Sequence, residues 1–251
     1  MAAQALVAAG LTVPDDRVVH SLHSYFLRPG DLLIPIDYEV GLVRDGGSFT
    51  TRSVAAVQAG EVIFSLSASF TRPRPSSFEH QVPVPDVVGP EALPPGDVPV
   101  STADPRTQRW WAELKVRHPF EMRFVTEPAR AAVARGELPG PREGVWLRSC
   151  DPLPEDPLMH ACAATLSSDL LLLGAALPPH GATHGDENLV SLSLDHALWF
   201  HRPFRADEWY LYDMEGWWTG AGRALCRGRM FDRAGRLLAT VVQEGLLSYR
   251  R

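Results

Sequence analysis

A pattern of aromatic, arginine and proline residues occurs twice in the chain, and this internal repeat constrains the fold more than any other feature. Tyr25–Pro29 (YFLRP) matches Trp199–Pro203 (WFHRP), and a tyrosine follows each proline by nine residues, at Tyr38 and Tyr212. Coinciding offsets of this kind indicate a duplicated structural unit. We therefore expect two copies of one fold within the 251 residues.

Each copy consists of a helical segment followed by four strand-like segments. The helical segments are residues 2–9 and 156–177, and the strand-like segments are residues 18–29, 35–45, 48–58 and 62–70, then 188–203, 208–215, 222–232 and 236–247. Because the strands follow one another with no room for crossover helices, each sheet is predicted to be antiparallel. A long helix wrapped by such a sheet is the plan of the hotdog fold. The predicted class is therefore α+β, a double hotdog.

The repeat also predicts the domain organisation. Residues 1–72 form the first hotdog repeat and residues 118–251 form the second, which includes further strands at 118–128 and 144–150. The segment between them, residues 73–117, carries nine prolines between positions 73 and 105, which favours an extended linker with a single helical turn near residues 110–115.

Composition and charge exclude several classes of protein. The net charge of −6 argues against a nucleic-acid binder. The longest apolar run, residues 170–177, is too short to span a bilayer, and no basic residue precedes Arg17, as a signal peptide would require. Cys150, Cys162 and Cys226 form no CxxC pair, which argues against a zinc ribbon or a disulfide framework. We expect a cytoplasmic protein with no metal and no cofactor.

The two copies differ where a polar pair occurs in only one of them. Gln243 ends an apolar row on the last strand of the second copy, at the position where the first copy has Ala68. Asp195 occupies the position of Ser21. A duplicated fold that keeps one functional site would show this asymmetry, although two surface residues at strand ends would show it as well.

An aspartate and a glutamine can together activate water. An ionised Asp195 can take a proton from water, and the Gln243 amide can hold that water in position, because an amide both donates and accepts hydrogen bonds. A thioester suits this chemistry, since its carbonyl is electrophilic and its thiolate leaves readily. The residues alone predict a metal-independent hydrolase.

Several motifs resemble the type II acyl-CoA thioesterase family. The resemblance covers nearly the whole chain and is most specific at LDHALWFHRPFRADEW and VVQEG, which contain Asp195 and Gln243. It implies two fused hotdog repeats that hydrolyse fatty acyl-CoA to free acid and CoA. It further implies a catalytic Asp at 195, a catalytic Gln at 243 and a Ser or Thr that helps to orient the lytic water.

The chain departs from the family pattern at the third catalytic position and at its start. Gly216 and Trp217 stand where the resemblance implies the Ser or Thr, and Thr219, a few residues later, is the candidate replacement. Trp217 and Trp218 are expected to narrow the acyl channel, and His20 is a candidate to line the substrate site from the first copy. Relative to the resemblance, the first copy is also expected to lack the strand that the family has before its first helix.

Alternatives remain open at this stage. Asp195 could attack the thioester directly and form an anhydride instead of activating water. A non-catalytic acyl-CoA-binding hotdog protein and a hotdog hydratase that acts on enoyl-CoA are the competing functions. Because hotdog sheets pair between chains, a homo-oligomer is also expected.

Overall fold

The computed structural model describes residues 1–250, in which two similar halves share one antiparallel sheet. The strands are β1 (Val18–Phe26), β2 (Asp37–Asp45), β3 (Phe49–Gln58), β4 (Glu61–Thr71), β5 (Phe120–Phe124), β6 (Arg142–Ser149), β7 (Leu189–Ser193), β8 (Asp195–Phe200), β9 (Tyr210–Gly220), β10 (Arg223–Asp232) and β11 (Leu237–Tyr249). The helices are α1 (Ala2–Gly10), α2 (Asp97–Ser101), α3 (Pro105–Arg117), α4 (Ala129–Ala134) and α5 (Pro157–Ser168). The predicted α+β class is confirmed.

The strand order displays the duplication. The sheet runs β2-β3-β4-β1 and continues β8-β11-β10-β9-β6-β5, with β7 paired to β11. The strands β1, β4, β3 and β2 of the first half therefore correspond to β8, β11, β10 and β9 of the second half. The halves join where β1 pairs antiparallel to β8, from Ser21 opposite Trp199 to Tyr25 opposite Asp195. The second half has β6 beside β9, whereas among residues 1–250 the corresponding edge of β2 pairs with no strand.

The hydrophobic core lies between the sheet and the two helices α1 and α5, which pack against each other. Strand alternation directs Leu22, Phe64, Leu198 and Val241 into this core, and all four are fully buried. The apolar segment Pro157–His180 is long enough to cross a membrane, but 72% of its apolar window is buried inside the protein. It serves here as the core segment of the second repeat.

The long helix of the second repeat ends earlier than its sequence predicts. A helix over residues 156–177 is expected, but α5 ends at Ser168 and a 3₁₀ segment follows at Leu172–Ala176. The hydroxyls of Ser167 and Ser168 donate to the carbonyls of Ala164 and Thr165. Such local bonds compete with helix continuation, so the Ser-Ser-Asp sequence stops the helix and leaves Asp169 just past its last turn.

The proline-rich segment also differs from its prediction in one element. A single turn near residues 110–115 is expected, but α3 is a 13-residue helix. The Asp104 carboxylate caps its first backbone N–H groups, and Pro105 occupies the first helical position, where its fixed φ is favourable. The segment before it is mostly extended and contacts the second repeat, since Gln81 bonds to the backbone of Gly235 and Leu237.

Candidate active site

A β-bulge lies at the position of the polar pair that distinguishes the second repeat. Ala197 of β8 pairs with Val242 of β11, and Ser193 of β7 pairs with Gly245. Two residues of β11, 243 and 244, therefore face three residues, 194–196, on the neighbouring chain segment. A bulge re-aims side chains and occurs often beside active sites. Here it gathers the polar side chains of both strands.

Asp195 lies in this bulge with its carboxylate bound to the opposite strand. Its Oδ1 accepts the backbone N–H of Glu244 at 2.7 Å, in place of a ladder hydrogen bond. Since Glu244 follows Gln243 directly, this oxygen is within about 6 Å of the Gln243 Cα. The side chain is half-buried. The structure therefore brings the two predicted catalytic residues close together, with no hydrogen bond between their side chains.

Gln243 is fully buried, and its amide nitrogen is saturated. Nε2 donates to Asp169 Oδ1 and to Ser193 Oγ, each at 2.6 Å. The Ser193 hydroxyl in turn lies 3.4 Å from the same Asp169 oxygen. The amide oxygen Oε1 is buried and has no hydrogen-bond partner among residues 1–250. An unpartnered buried acceptor is unfavourable by about 1–3 kcal/mol, which favours a functional role for this atom.

His196 is the second fully buried polar residue of the bulge. Its Nε2 lies 2.8 Å from Ser168 Oγ, which is also 2.9 Å from Thr165 O. Nδ1 has no hydrogen-bond partner within residues 1–250. Burial lowers the pKa of His196, although Asp169, the Gln243 amide and Asp195 favour its protonated form. The ring is neutral near pH 7.

Asp169 is exposed and lies at the centre of these groups. Burial lowers the pKa of His118, His184 and His196, and in all three the charge of Asp169 opposes that shift. Sequence reasoning missed Asp169 and Ser193 as partners of Gln243. The one available signal is the Ser-Ser-Asp sequence that interrupts the apolar helix pattern before Leu170.

Gly216, at the position where the resemblance implies a hydroxyl, leaves no room for a side chain. It pairs with Cys226, which pairs with Gln243, so it lies level with Gln243 about 10 Å away across two strands. A Cβ at residue 216 would come within 2.8 Å of Ala176 Cα and 3.1 Å of Ala175 O. The 3₁₀ segment occupies that space, and the hydroxyl that contacts Gln243 belongs to Ser193.

The other predicted site residues lie apart from the bulge. Trp217 and Trp218 are about half exposed on β9 and lie over the guanidinium groups of Arg227 and Arg223. Thr219 is exposed and pairs with Ala224 near the end of the hairpin. A role for these three in substrate binding or catalysis stays a prediction.

His20 lies on β1 of the first repeat. Its Nε2 is 2.8 Å from Ser69 Oγ, and its ring meets Phe49 edge-on. Burial lowers its pKa. These contacts tie His20 to the sheet of the first repeat, and its part in substrate binding stays a prediction.

A small cleft of about 40 Å³ is lined by the residues that follow Asp169 in the chain. Its walls combine apolar and polar side chains: Leu170, Leu171, Leu177 and Trp110 with Arg130, Glu143 and His184. The Arg130 guanidinium stacks over the Trp110 ring at 4.5 Å. Within residues 1–250, no group of three or more His, Cys, Asp or Glu side chains has the arrangement of a metal site.

Comparison with known proteins covers both halves of the chain. A family model described as acyl-CoA thioesterase matches residues 116–246, and one described as acyl-CoA thioesterase N-terminal domain matches residues 1–71. The chain is 40% identical over 252 residues to acyl-coenzyme A thioesterase 8 of Homo sapiens, covering 97% of this chain and 77% of that protein. It is 34% identical over 254 residues to acyl-CoA thioesterase 2 of Haemophilus influenzae, covering 98% and 85%.

Solved structures show the same relationship. The acyl-CoA thioesterase II TesB2 of Mycobacterium marinum superposes with a TM-score of 0.79 at 42% identity, covering 99% of this chain and 88% of that one. A hotdog-fold protein from Alicyclobacillus acidocaldarius superposes with a TM-score of 0.74 at 18% identity, covering 98% and 85%. The latter likeness concerns the fold alone, and it confirms the predicted hotdog architecture.

Proposed function

The chain belongs to the acyl-CoA thioesterase family, and we propose that it hydrolyses acyl-CoA thioesters with a water molecule held by Asp195 and Gln243. The observation that carries this assignment is the bulge of the second repeat. There a half-buried carboxylate and a buried, unpartnered amide oxygen lie on adjacent strands. The family establishes the reaction, and the geometry supports these two residues as the ones that carry it.

The proposed reaction begins with a proton transfer to Asp195. One oxygen of this carboxylate is occupied by the Glu244 N–H, which leaves the other free to accept the proton of the water. The hydroxide so formed adds to the thioester carbonyl carbon, and the resulting tetrahedral intermediate breaks its carbon–sulfur bond. The CoA thiolate leaves and takes the proton back from Asp195, which restores the carboxylate.

The acyl chain is proposed to lie between the sheet and the long helix of the second repeat, bordered by the apolar segment that begins at Leu170. The cleft beside Leu170 and Leu171 has a volume of about 40 Å³, so it would have to widen when an acyl chain binds. Burial of the acyl methylenes there would contribute about 0.8 kcal/mol for each group. Trp217 and Trp218 are proposed to border the path of the substrate along β9.

We also propose that the protein acts in the cytoplasm as a homo-oligomer. All three cysteines are free, and Cys150 is exposed, which suits a reducing compartment. Light scattering of the purified chain tests the oligomeric state. A mass equal to one chain at micromolar concentration would contradict that part of the proposal.

The test of the proposed site is thiol release from a panel of acyl-CoAs of increasing chain length. We expect the wild type to release CoA and Asp195→Asn to lose 100-fold to 10,000-fold in kcat, as expected for removal of a general base. Asp37→Ala, which removes an exposed carboxylate of β2, is the matched control and should retain wild-type activity. An Asp195→Asn variant as active as the control would refute the role of Asp195.

A further inference from the structure

The amide of Gln243 is bound on one side only. Both of its N–H groups are engaged, by the Asp169 carboxylate and by the Ser193 hydroxyl, while its oxygen remains unpartnered in the core. A primary amide has two N–H donors, and both are used here. The only hydrogen-bonding capacity that Gln243 can offer to another molecule is therefore that of an acceptor.

Asp169 determines which way round this amide lies. An ionised carboxylate only accepts hydrogen bonds, so a flipped amide would place its own oxygen against Asp169 Oδ1 and lose the donor. Hydrogen bonds to a charged group are roughly twice as strong as those between neutral groups. Ser193 adds a second acceptor 2.6 Å from the same nitrogen. The orientation of Gln243 thus depends on two residues that need not touch the substrate.

We propose that Asp169 and Ser193 are positioning residues that hold both amide protons of Gln243 and so direct its oxygen towards the lytic water. This inference rests on the proposed function and refines it. Gln243 accepts a proton of the water and aligns the water's lone pair with the thioester carbon. It does not donate to the developing oxyanion, and that charge is stabilised by other groups.

A positioning role and a role as base predict different results for substitutions of Asp169. Asparagine keeps an oxygen that can accept the Gln243 N–H, whereas alanine removes it. We expect Asp169→Ala to lower kcat by 10-fold to 100-fold with KM changed less than twofold, because misplacing a catalytic group costs about this much. Asp169→Asn should recover at least tenfold of that loss, and its pH profile of kcat should coincide with that of the wild type.

A sharper test exchanges the carboxylate and the amide between positions 169 and 243. Gln243→Glu places two carboxylates side by side, and we expect it to lose at least 100-fold in kcat. The double variant Asp169→Asn with Gln243→Glu restores one donor and one acceptor in reversed order, and it should exceed Gln243→Glu alone by at least tenfold. Ser193→Ala removes the weaker partner and should lower kcat by about threefold to tenfold.

Several outcomes would overturn the inference. Equal losses in Asp169→Asn and Asp169→Ala would make Asp169 a base, and wild-type kcat in Asp169→Ala would remove it from the site. Failure of the double variant to exceed Gln243→Glu, in variants whose melting temperatures match the wild type, would also contradict it. A wild type that releases no thiol from any acyl-CoA would instead refute the proposed function itself.

Discussion

The two repeats share one backbone arrangement, but they bury different side chains at the bulge. In the first repeat, Leu22 pairs with Ala68, and both are fully buried. The matching positions of the second repeat are His196 and Gln243, also fully buried. The bulge is shared too, since the β1–β4 register shifts between Val19 and Ser21 as the pairing with β11 shifts between 193 and 197. Because both repeats have the bulge, the candidate active site of the second repeat depends on its side chains and not on its backbone.

The two repeats also differ in whether their buried polar side chains have all their hydrogen bonds. In the first repeat, the buried Arg52 guanidinium is fully engaged by Thr12, by the carbonyls of Arg44 and Thr51, and by Asp45. In the second repeat, Gln243 leaves an acceptor unpartnered. A satisfied network stabilises a fold, whereas an incomplete one is unfavourable unless a ligand completes it. We interpret the first network as structural and the second as functional.

Removal of the Arg52 side chain should lower the stability of the protein without lowering its activity. Arg52→Ala leaves the Thr12, Arg44 and Thr51 acceptors without their donor and opens a cavity. We expect the free energy of unfolding to fall by about 3 kcal/mol, with kcat of the folded protein unchanged. Urea denaturation and thiol release on the same sample measure both. A large loss of kcat without loss of stability would contradict a purely structural role.

Exchange of the bulged residue of β9 tests the predicted substrate path. Trp217 is the unpaired residue of a bulge on β9, and Val43 is the unpaired residue of the matching bulge on β2. We expect Trp217→Val to raise KM for long-chain acyl-CoA by about threefold to tenfold, with a smaller change in kcat, because apolar contact with the substrate is lost. Equal KM for wild type and variant at every chain length would exclude Trp217 from the substrate path.

Replacement of His196 by the residue of the first repeat should alter the pH dependence of stability. Burial lowers the pKa of His196 in the folded protein, so the unfolded chain binds a proton first as the pH falls. Its contribution to stability is therefore complete above the unfolded pKa near 6.5 and is lost as the pH falls towards the folded pKa. We expect His196→Leu to show a smaller loss of unfolding free energy between pH 7.5 and pH 5 than the wild type. Identical slopes would contradict this.

The sequence predicts the fold well because both copies carry the same turn residues and the same alternation of apolar and polar residues along their strands. The strands around Phe64 and Ala239 lie where the pattern places them, and the antiparallel order follows from short connections. The helix boundary at Ser168 and the length of α3 are predicted wrongly. Serine hydroxyls that bond to the preceding turn stop one helix, and the Asp104 cap with Pro105 starts the other.

The candidate site is only half predictable from the sequence. Asp195 and Gln243 stand out because the other repeat has Ser21 and Ala68. Asp169 does not stand out, since it lies just past a helix and meets Gln243 only through tertiary packing, 74 residues apart in sequence. The close approach of Ala176 to Gly216, which removes the space for a side chain there, is likewise a tertiary contact that no local pattern encodes.

The most direct test replaces the polar pair of the second repeat with the residues that the first repeat has at the same positions. The double variant Asp195→Ser with Gln243→Ala installs the residues of the first repeat, and Ser21→Ala in the first repeat is the matched control. Thiol release from a long-chain acyl-CoA should fall at least about 1,000-fold in kcat/KM in the double variant and change less than twofold in the control. A double variant within tenfold of the wild type would show that hydrolysis does not depend on this bulge.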